Sequence, residues 1–282
     1  MPQRFGEDVT PPTTVIEAGR SPLRAELAEL WRSRELLRFL AWRDIRVRYA
    51  QTFIGATWAL IEPFISVVAF TLIFNRVAGL ESGEVPYPLY CFAAMLLWTF
   101  FGRALRDITT SFVANAAVLR KIYFPRLALP CAVLMATTVD FACAFVMYAL
   151  LMVWYGVAPT LHILTLPVWV LLAGANALGV GLTLAAINVR FRDVSQALPF
   201  LIQIWMLATP VAYPLHTIPS AWLPLYQLNP MVGVIEGMRW ALLPGQTLDT
   251  GLLASGLGVG ALLLIGGLVF FSRAQREFAD VI

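Results

Sequence analysis

The chain has 282 residues, of which 59% are hydrophobic and only 13% charged, with a mean hydropathy of +0.75. A soluble domain carries about 25% charged residues, so this composition excludes an ordinary soluble globular protein and points to a polytopic membrane protein. The formal net charge of +3 says little by itself, because its placement along the chain is strongly asymmetric. The three cysteines, Cys91, Cys131 and Cys143, all lie inside apolar runs. An odd number in such places supplies neither a disulfide framework nor a metal-ligand spacing.

Residues 1–21 hold Pro2, Pro11 and Pro12 amid mixed charge and are expected to form a disordered cytoplasmic N-terminus. They lack the apolar stretch of a cleavable signal peptide, so the first membrane span is expected to act as the insertion signal. Residues 22–50 read differently. Leu23, Leu27, Leu30, Trp31, Leu37, Leu40 and Ile45 recur at helical spacing, with arginines on the other positions. Ser21-Pro22 supplies a helix start. A basic amphipathic helix of this kind lies in the headgroup plane. The candidate membrane-surface residues are Trp42, Arg43, Asp44, Arg46 and Arg48.

Six apolar segments follow, at about 54–77, 86–112, 129–155, 162–187, 196–213 and 251–271. About 20 apolar residues cross a bilayer as a helix. The fifth segment is slightly short, and the second turns polar from Arg103. Backbone groups in lipid must be satisfied within their own segment, so helices are the expected form. The expectation is an all-α polytopic membrane protein: residues 51–272 as a six-helix transmembrane domain, then a cytoplasmic tail at 273–282. Lysine and arginine placement gives the orientation. With the N-terminus inside, eighteen basic residues fall on the cytoplasmic side, and only Arg76 and Arg239 fall outside.

Between the second and third segments lies a short basic and aromatic stretch, N-A-A-V-L-R-K-I-Y-F-P-R-L-A-L-P, from Asn115 to Pro130. It holds Lys121, the single lysine of the chain. A P-loop requires Gly-Lys-Ser/Thr, and no glycine is near Lys121, so a nucleotide site of the Walker type is excluded. A plain positively charged loop would gain nothing from exposing Tyr123, Phe124 and Pro125. The stretch therefore reads as a docking knuckle for another protein. The segment 214–250 carries Pro214, Pro219, Pro224, Pro230 and Pro244 with Trp222, Tyr226 and Trp240. Amphipathic rings prefer the interface, and two short re-entrant or interfacial helices are expected there.

Few residues could support chemistry. His162 and His216 sit at span ends, and no H-E-x-x-H or intramembrane Ser/His pair is present, so an enzyme is not expected. Glu62, before Pro63, and Asp140 are lone mid-span carboxylates. Interhelical polar contact and ion coupling are the two readings of each. Arg103 and Asp107 share a helical face. Arg103 and Arg106 are candidates for contact with a lipid diphosphate, because the planar guanidinium suits phosphate, and snorkelling or pairing is the alternative. Trp98, Phe100, Phe101, Tyr213, Trp222 and Tyr226 are candidates for a glycan path or gate, against a packing or belt role. Gly256 and Gly260 form a G-x-x-x-G, and Ala177 and Gly181 a similar pair, suited to helix packing or a dimer.

Taken together, four stretches resemble the transmembrane subunit of type-2 ABC exporters, in the branch that exports O-antigen and other lipid-linked polysaccharides. R-D-I-R-V-R-Y-A-Q-T-F-I-G-A-T-W-A-L-I-E-P (43–63) resembles the end of that family's interface helix entering its first span. L-R-K-I-Y-F-P-R-L-A-L-P (119–130) resembles its coupling helix, placed at about 115–128. N-V-R-F-R-D-V (188–194) resembles its second cytoplasmic loop, at about 188–195, and L-N-P-M-V-G-V-I-E-G-M-R-W-A-L (228–242) its outer re-entrant region, at about 214–248. The resemblance implies the type-2 ABC exporter transmembrane fold: an N-terminal amphipathic interface helix and six transmembrane helices. It implies a homodimer in the bacterial cytoplasmic (inner) membrane, with both termini cytoplasmic. Two copies of a separate ABC ATPase subunit would carry the ATP and Mg, leaving no cofactor on this chain. Arg120, Lys121, Ile122, Tyr123, Phe124, Pro125, Arg126, Arg190, Arg192 and Asp193 would couple to that ATPase. The implied cargo is a polysaccharide on a polyprenyl diphosphate. Teichoic acid, capsule or a drug are alternative cargoes, and an ion-coupled secondary transporter is the alternative mechanism.

Overall fold

The computed structural model describes residues 23–50, 58–77, 79, 85–119 and 124–275. The expected disordered N-terminus at 1–21 lies outside them, as do Arg120, Lys121, Ile122 and Tyr123 and most of the expected tail. Among the described residues every regular element is helical, and no strand occurs.

The N-terminal amphipathic stretch forms two helices, α1 (Leu23–Arg32) and α2 (Arg34–Ala50). They meet at Ser33, whose N–H still reaches the Glu29 carbonyl at 2.9 Å. The first apolar segment is described as α3 (Trp58–Phe70), which widens into a π-helical turn over Thr71–Val77. Its Glu62 and Pro63 are described in backbone only. Next come α4 (Tyr87–Ala114), the single turn α5 (Ala116–Leu119), α6 (Ala128–Trp154) and α7 (Leu166–Arg190). Pro88 and Pro167 sit in the first turns of α4 and α7, where the missing N–H costs nothing. Beyond α7, α8 covers Asp193–Leu207, and two short elements follow, α9 (Leu223–Gln227) and α10 (Pro230–Leu242). The last is α11 (Thr250–Ala274). Asp249 caps α11 by accepting from Gly251 N–H at 2.9 Å and Leu252 N–H at 3.0 Å.

Four helices among the described residues are long and apolar enough to cross a membrane: α4, α6, α7 with the turn before it, and α11. The fifth apolar segment gives a helix of 15 residues, about 22 Å at 1.5 Å per residue. It carries Pro199 internally and breaks into irregular backbone near Thr209. The polar stretch at the end of the second segment does not end its helix; α4 continues through Arg103, Arg106 and Asp107 to Ala114.

α4 is the core. Every residue from Leu89 to Trp98 is at most 3% exposed, so protein surrounds it on all sides rather than lipid. α11 shows the opposite pattern, with Leu257, Leu262, Ile265 and Phe270 exposed on its outer face. Its inner face is made of small residues. A Cβ on Gly179 of α7 would lie 2.6 Å from the Leu264 backbone nitrogen, and one on Gly260 would lie 2.5 Å from Asn176 Oδ1. A Cβ on Gly256 would meet the Pro230 carbonyl oxygen at 3.4 Å, an ordinary contact. The G-x-x-x-G thus packs α11 against α7 and α10 of its own chain. Gly181 meets Ile108 of α4.

Candidate functional site

One end of the bundle gathers the basic residues. A second apolar core closes it, joining Leu40 and Ala41 of α2, Phe112 of α4, Phe124 and Leu127 before α6, Val189 of α7 and Phe271 of α11. Phe112 and Phe271 pack at 5.2 Å between ring centroids, tilted by 40°. Phe124 is only 7% exposed. It shares that core with Leu40 and Ala41 of α2, whereas Pro125 and Arg126 are half-buried.

Above this core, α2 is tied to the spans by charge. Arg48 donates to Asp107 Oδ2 at 2.9 Å through Nη2 and to Asp140 Oδ2 through Nη1. Arg103 Nη1 also reaches Asp140 Oδ2, at 3.2 Å. The Asp140 side chain is 7% exposed, against 25% for Arg48, 29% for Arg103 and 32% for Asp107. The innermost member is therefore the carboxylate, and it holds two guanidinium groups. Among the described ion pairs, two arginines balance two aspartates, which meets the requirement that buried charge be paired. Asp140 thus forms an interhelical polar contact, joining α6 to both α2 and α4. A second tie lies at the end of α4. Arg43 binds Asp44 at 2.8 Å and, through the same nitrogen, Asn115 Oδ1 at 2.8 Å. Asn115 in turn donates to the Ser111 carbonyl at 2.8 Å. On the other face of α2, Trp42 and Arg46 are exposed. Arg106 is exposed as well.

The α7–α8 turn lies at the same end. Asn188 is buried; it donates to the Thr109 carbonyl at 3.2 Å and accepts from Ser195 N–H at 3.1 Å. That pair fixes a turn on which Arg190, Phe191, Arg192 and Asp193 are all exposed. The Arg190 guanidinium lies 5.5 Å from the Phe191 ring centre. Phe191, 58% exposed, is a residue that sequence reasoning missed. An aromatic between two arginines was the available signal.

The opposite end is built around Arg239 of α10, which is fully buried. It donates to Glu236 at 2.6 Å and to the Val211 carbonyl at 2.7 Å, and its guanidinium carbon stands 3.8 Å from the Tyr90 ring centre. Tyr87 donates to the neighbouring Ala212 carbonyl. The turn at 209–213 is thereby clamped to α4 and α10. Asn229 caps α10, accepting from Met231 N–H and Trp205 Nε1, both at 3.1 Å. The six aromatic candidates separate here. Trp98, Phe100 and Phe101 are at most 3% exposed, and their rings pack on Trp205 and Phe141 at 5.1 to 6.3 Å. Tyr213, Trp222 and Tyr226 instead line one cleft near the α10 start, together with Trp205.

Comparison with known proteins places this architecture. The chain matches the ABC-2 type transporter family over residues 35–243. It is 30% identical over 256 residues to the O-antigen export system permease protein RfbA of Myxococcus xanthus, covering 90% of this chain and 98% of that one. It is 24% identical to the RfbA permease of Klebsiella pneumoniae, over 88% of this chain and 95% of the relative. It is 22% identical to the polysialic acid transport protein KpsM of Escherichia coli, over 72% and 79% respectively.

Proposed function

The chain belongs to the ABC-2 type transporter family, and from that premise we propose that it is the membrane permease subunit of an ATP-driven exporter of lipid-linked polysaccharide. The observation that carries this reading is the near end-to-end match to a permease named for O-antigen export. The chain is a multi-pass membrane protein, and its family implies a separate ATPase partner. In our reading it pairs with a second copy, and each copy binds one ATPase. ATP and Mg reside on that partner, and this chain is a transport subunit with no catalytic site of its own.

The finer topology follows the charge distribution. In our reading the chain lies in the bacterial cytoplasmic (inner) membrane, with the basic end facing the cytoplasm and both termini inside. α1 and α2 form the interface helix, α3 and α8 complete six membrane passes with the four long helices, and α9 and α10 form the outer re-entrant region. Docking of the ATPase falls to the knuckle at 120–126 and to the α7–α8 turn. The exposed Arg190, Phe191, Arg192 and Asp193 support the second of these. Exposed Arg106 is the better placed of the two candidates for a lipid diphosphate, since Arg103 is engaged with Asp140.

KpsM supports a capsule-type polysaccharide as the second reading of the cargo. Ion coupling through Asp140 has less support, because both arginines neutralise that carboxylate. The test is depletion of the protein in its native cell, with the lipid-linked glycan located by fractionation and surface labelling. Loss of surface polysaccharide with glycan accumulating on the cytoplasmic side is the expected result. An unchanged surface would reject polysaccharide as the cargo.

A further inference from the structure

The cleft at the Arg239 end has a volume of about 880 Å³ and lies between α8, the turns that follow it, α9, α10 and α11. Its depth is the first guide to its occupant. It is lined by Tyr213, Thr217, Trp222 and Tyr226 of the turns and α9, and by Val259 and Leu263 of α11. α11 starts at Thr250, so Val259 and Leu263 lie about 14 and 20 Å along it at 1.5 Å per residue. The helix is 25 residues long, about 37 Å by the same rise, which puts Leu263 near its middle. The cleft therefore descends from the interface to about the centre of a hydrocarbon layer ~30 Å thick.

Its chemistry is the second guide. Trp205 donates its indole N–H to Asn229 at 3.1 Å. The Asn229 amide donates to Thr209 Oγ1 at 2.9 Å and to the Ala208 carbonyl at 3.4 Å. Tyr213 donates to the Leu207 carbonyl at 2.8 Å, so the 2.9 Å bond between the two phenols uses the Tyr226 hydrogen. Thr217 donates to the Pro214 carbonyl at 2.7 Å. The donor hydrogens of these side chains are thus committed within the protein, and a polar ligand would find acceptors but no free side-chain donor among them. Among the described residues none lining the cleft is charged, so they offer a phosphate group no cation. What remains is aromatic and aliphatic wall, with the amphipathic ring of Trp222, 58% exposed, at the headgroup level.

We infer that this cleft seats an acyl chain of a bilayer phospholipid from the leaflet at that end, with the headgroup beside Trp222 and the chain along Val259 and Leu263. The occupant adds dispersion contacts to the exposed aromatic and aliphatic walls. It thereby braces α9 and the turn at 209–213 against α11. The inference rests on the chain being membrane-spanning, and it is independent of the cargo.

The test uses the full chain reconstituted into dioleoylphosphatidylcholine bilayers, re-extracted in detergent and weighed by native mass spectrometry. One phospholipid per protomer is expected to survive extraction. Val259→Trp, which fills the cleft, should lower that occupancy at least fivefold. Leu262→Trp, on the same helix but outside the cleft, should leave it unchanged. Ala208→Leu supplies a milder cleft-filling variant should Val259→Trp fail to fold. Absence of the adduct in the natural protein, or its equal loss in Val259→Trp and Leu262→Trp, would overturn the inference. So would a polyprenyl diphosphate adduct in protein taken from native membranes, or a cross-link between copies through Leu225→Cys in place of bound lipid.

Discussion

The charged junction allows a worked prediction. Asp140→Asn keeps the shape of the side chain but removes one negative charge from a neutral cluster of four. Among these four, Arg48 and Arg103 then face Asp107, leaving one positive charge in excess. Breaking a fully buried ion pair costs about 3–5 kcal/mol. Here the arginine side chains are 25% and 29% exposed, and water screens part of the excess charge, so about 2–3 kcal/mol is the better figure. At 1.4 kcal/mol per tenfold, the equilibrium that holds α2 onto α4 and α6 should shift by about 30- to 150-fold. Hydrogen exchange of the α2 amides, measured in nanodiscs, reads that opening directly. Protection should fall across α2 and stay unchanged in α11. Arg103→Gln added to Asp140→Asn restores neutrality and should recover most of the loss. If the single variant exchanges like the natural protein, or the double variant is worse than either single, the cluster does not hold α2 in place.

Other perturbations separate roles that one residue list would merge. Phe191→Asp should abolish association with the ATPase while leaving the thermal midpoint of the purified chain unchanged; Phe124→Ala should lower the midpoint, by a core-cavity cost of about 3–5 kcal/mol, because Phe124 faces inward. Arg239→Met leaves Glu236 without its partner and should destabilise the chain by about 3–5 kcal/mol, with thermal unfolding monitored by intrinsic fluorescence; Glu236→Gln in the same chain should recover part of that loss. Gly179→Ala places a methyl against the α11 backbone and should cost about 1–3 kcal/mol, whereas Gly258→Ala, with nothing within 4 Å, should be neutral or stabilising by up to about 1 kcal/mol.

The length of the apolar runs made the long helices legible. What was not legible depended on distant partners. Asp140 was recognisable as a buried carboxylate in need of a partner, but Arg48 lies 92 residues away. Arg48 also belongs to a stretch whose pattern pointed to the membrane surface. A helix can satisfy both roles, with Arg46 and Trp42 on one face and Arg48 on the other. Phe124 misled in the opposite direction. An aromatic in a basic turn suggested exposure, yet residues from α2, α4, α7 and α11 converge to cover it. Arg239 was counted with the outer loop, and only its spacing of three from Glu236 hinted at a pair. The aromatic candidates could not be sorted by sequence, because a ring that packs a core and a ring that lines a cleft have the same local pattern. Tertiary neighbours alone distinguish Phe101 from Tyr226.

The two polar clusters belong to one mechanical element. α4 carries Arg103 and Asp107 near the basic end, and Tyr87 and Tyr90 at the other. The first pair is engaged with α2 and α6; the second holds Ala212 and Arg239. Between them, Leu89 to Trp98 is buried without interruption. A close-packed interior of this kind is poorly compressible, so a displacement imposed through Arg48 is not absorbed within α4. It must either break the contacts of α4 with α6 and α7 or carry to Tyr87 and Tyr90. The turn at 209–213 is attached at those residues, and it forms one wall of the aromatic cleft. If the ATPase docks at the basic end, as proposed, a single buried helix held by charge at one end and by aromatic and carbonyl contacts at the other would be the physical basis for its communication with α9 and α10.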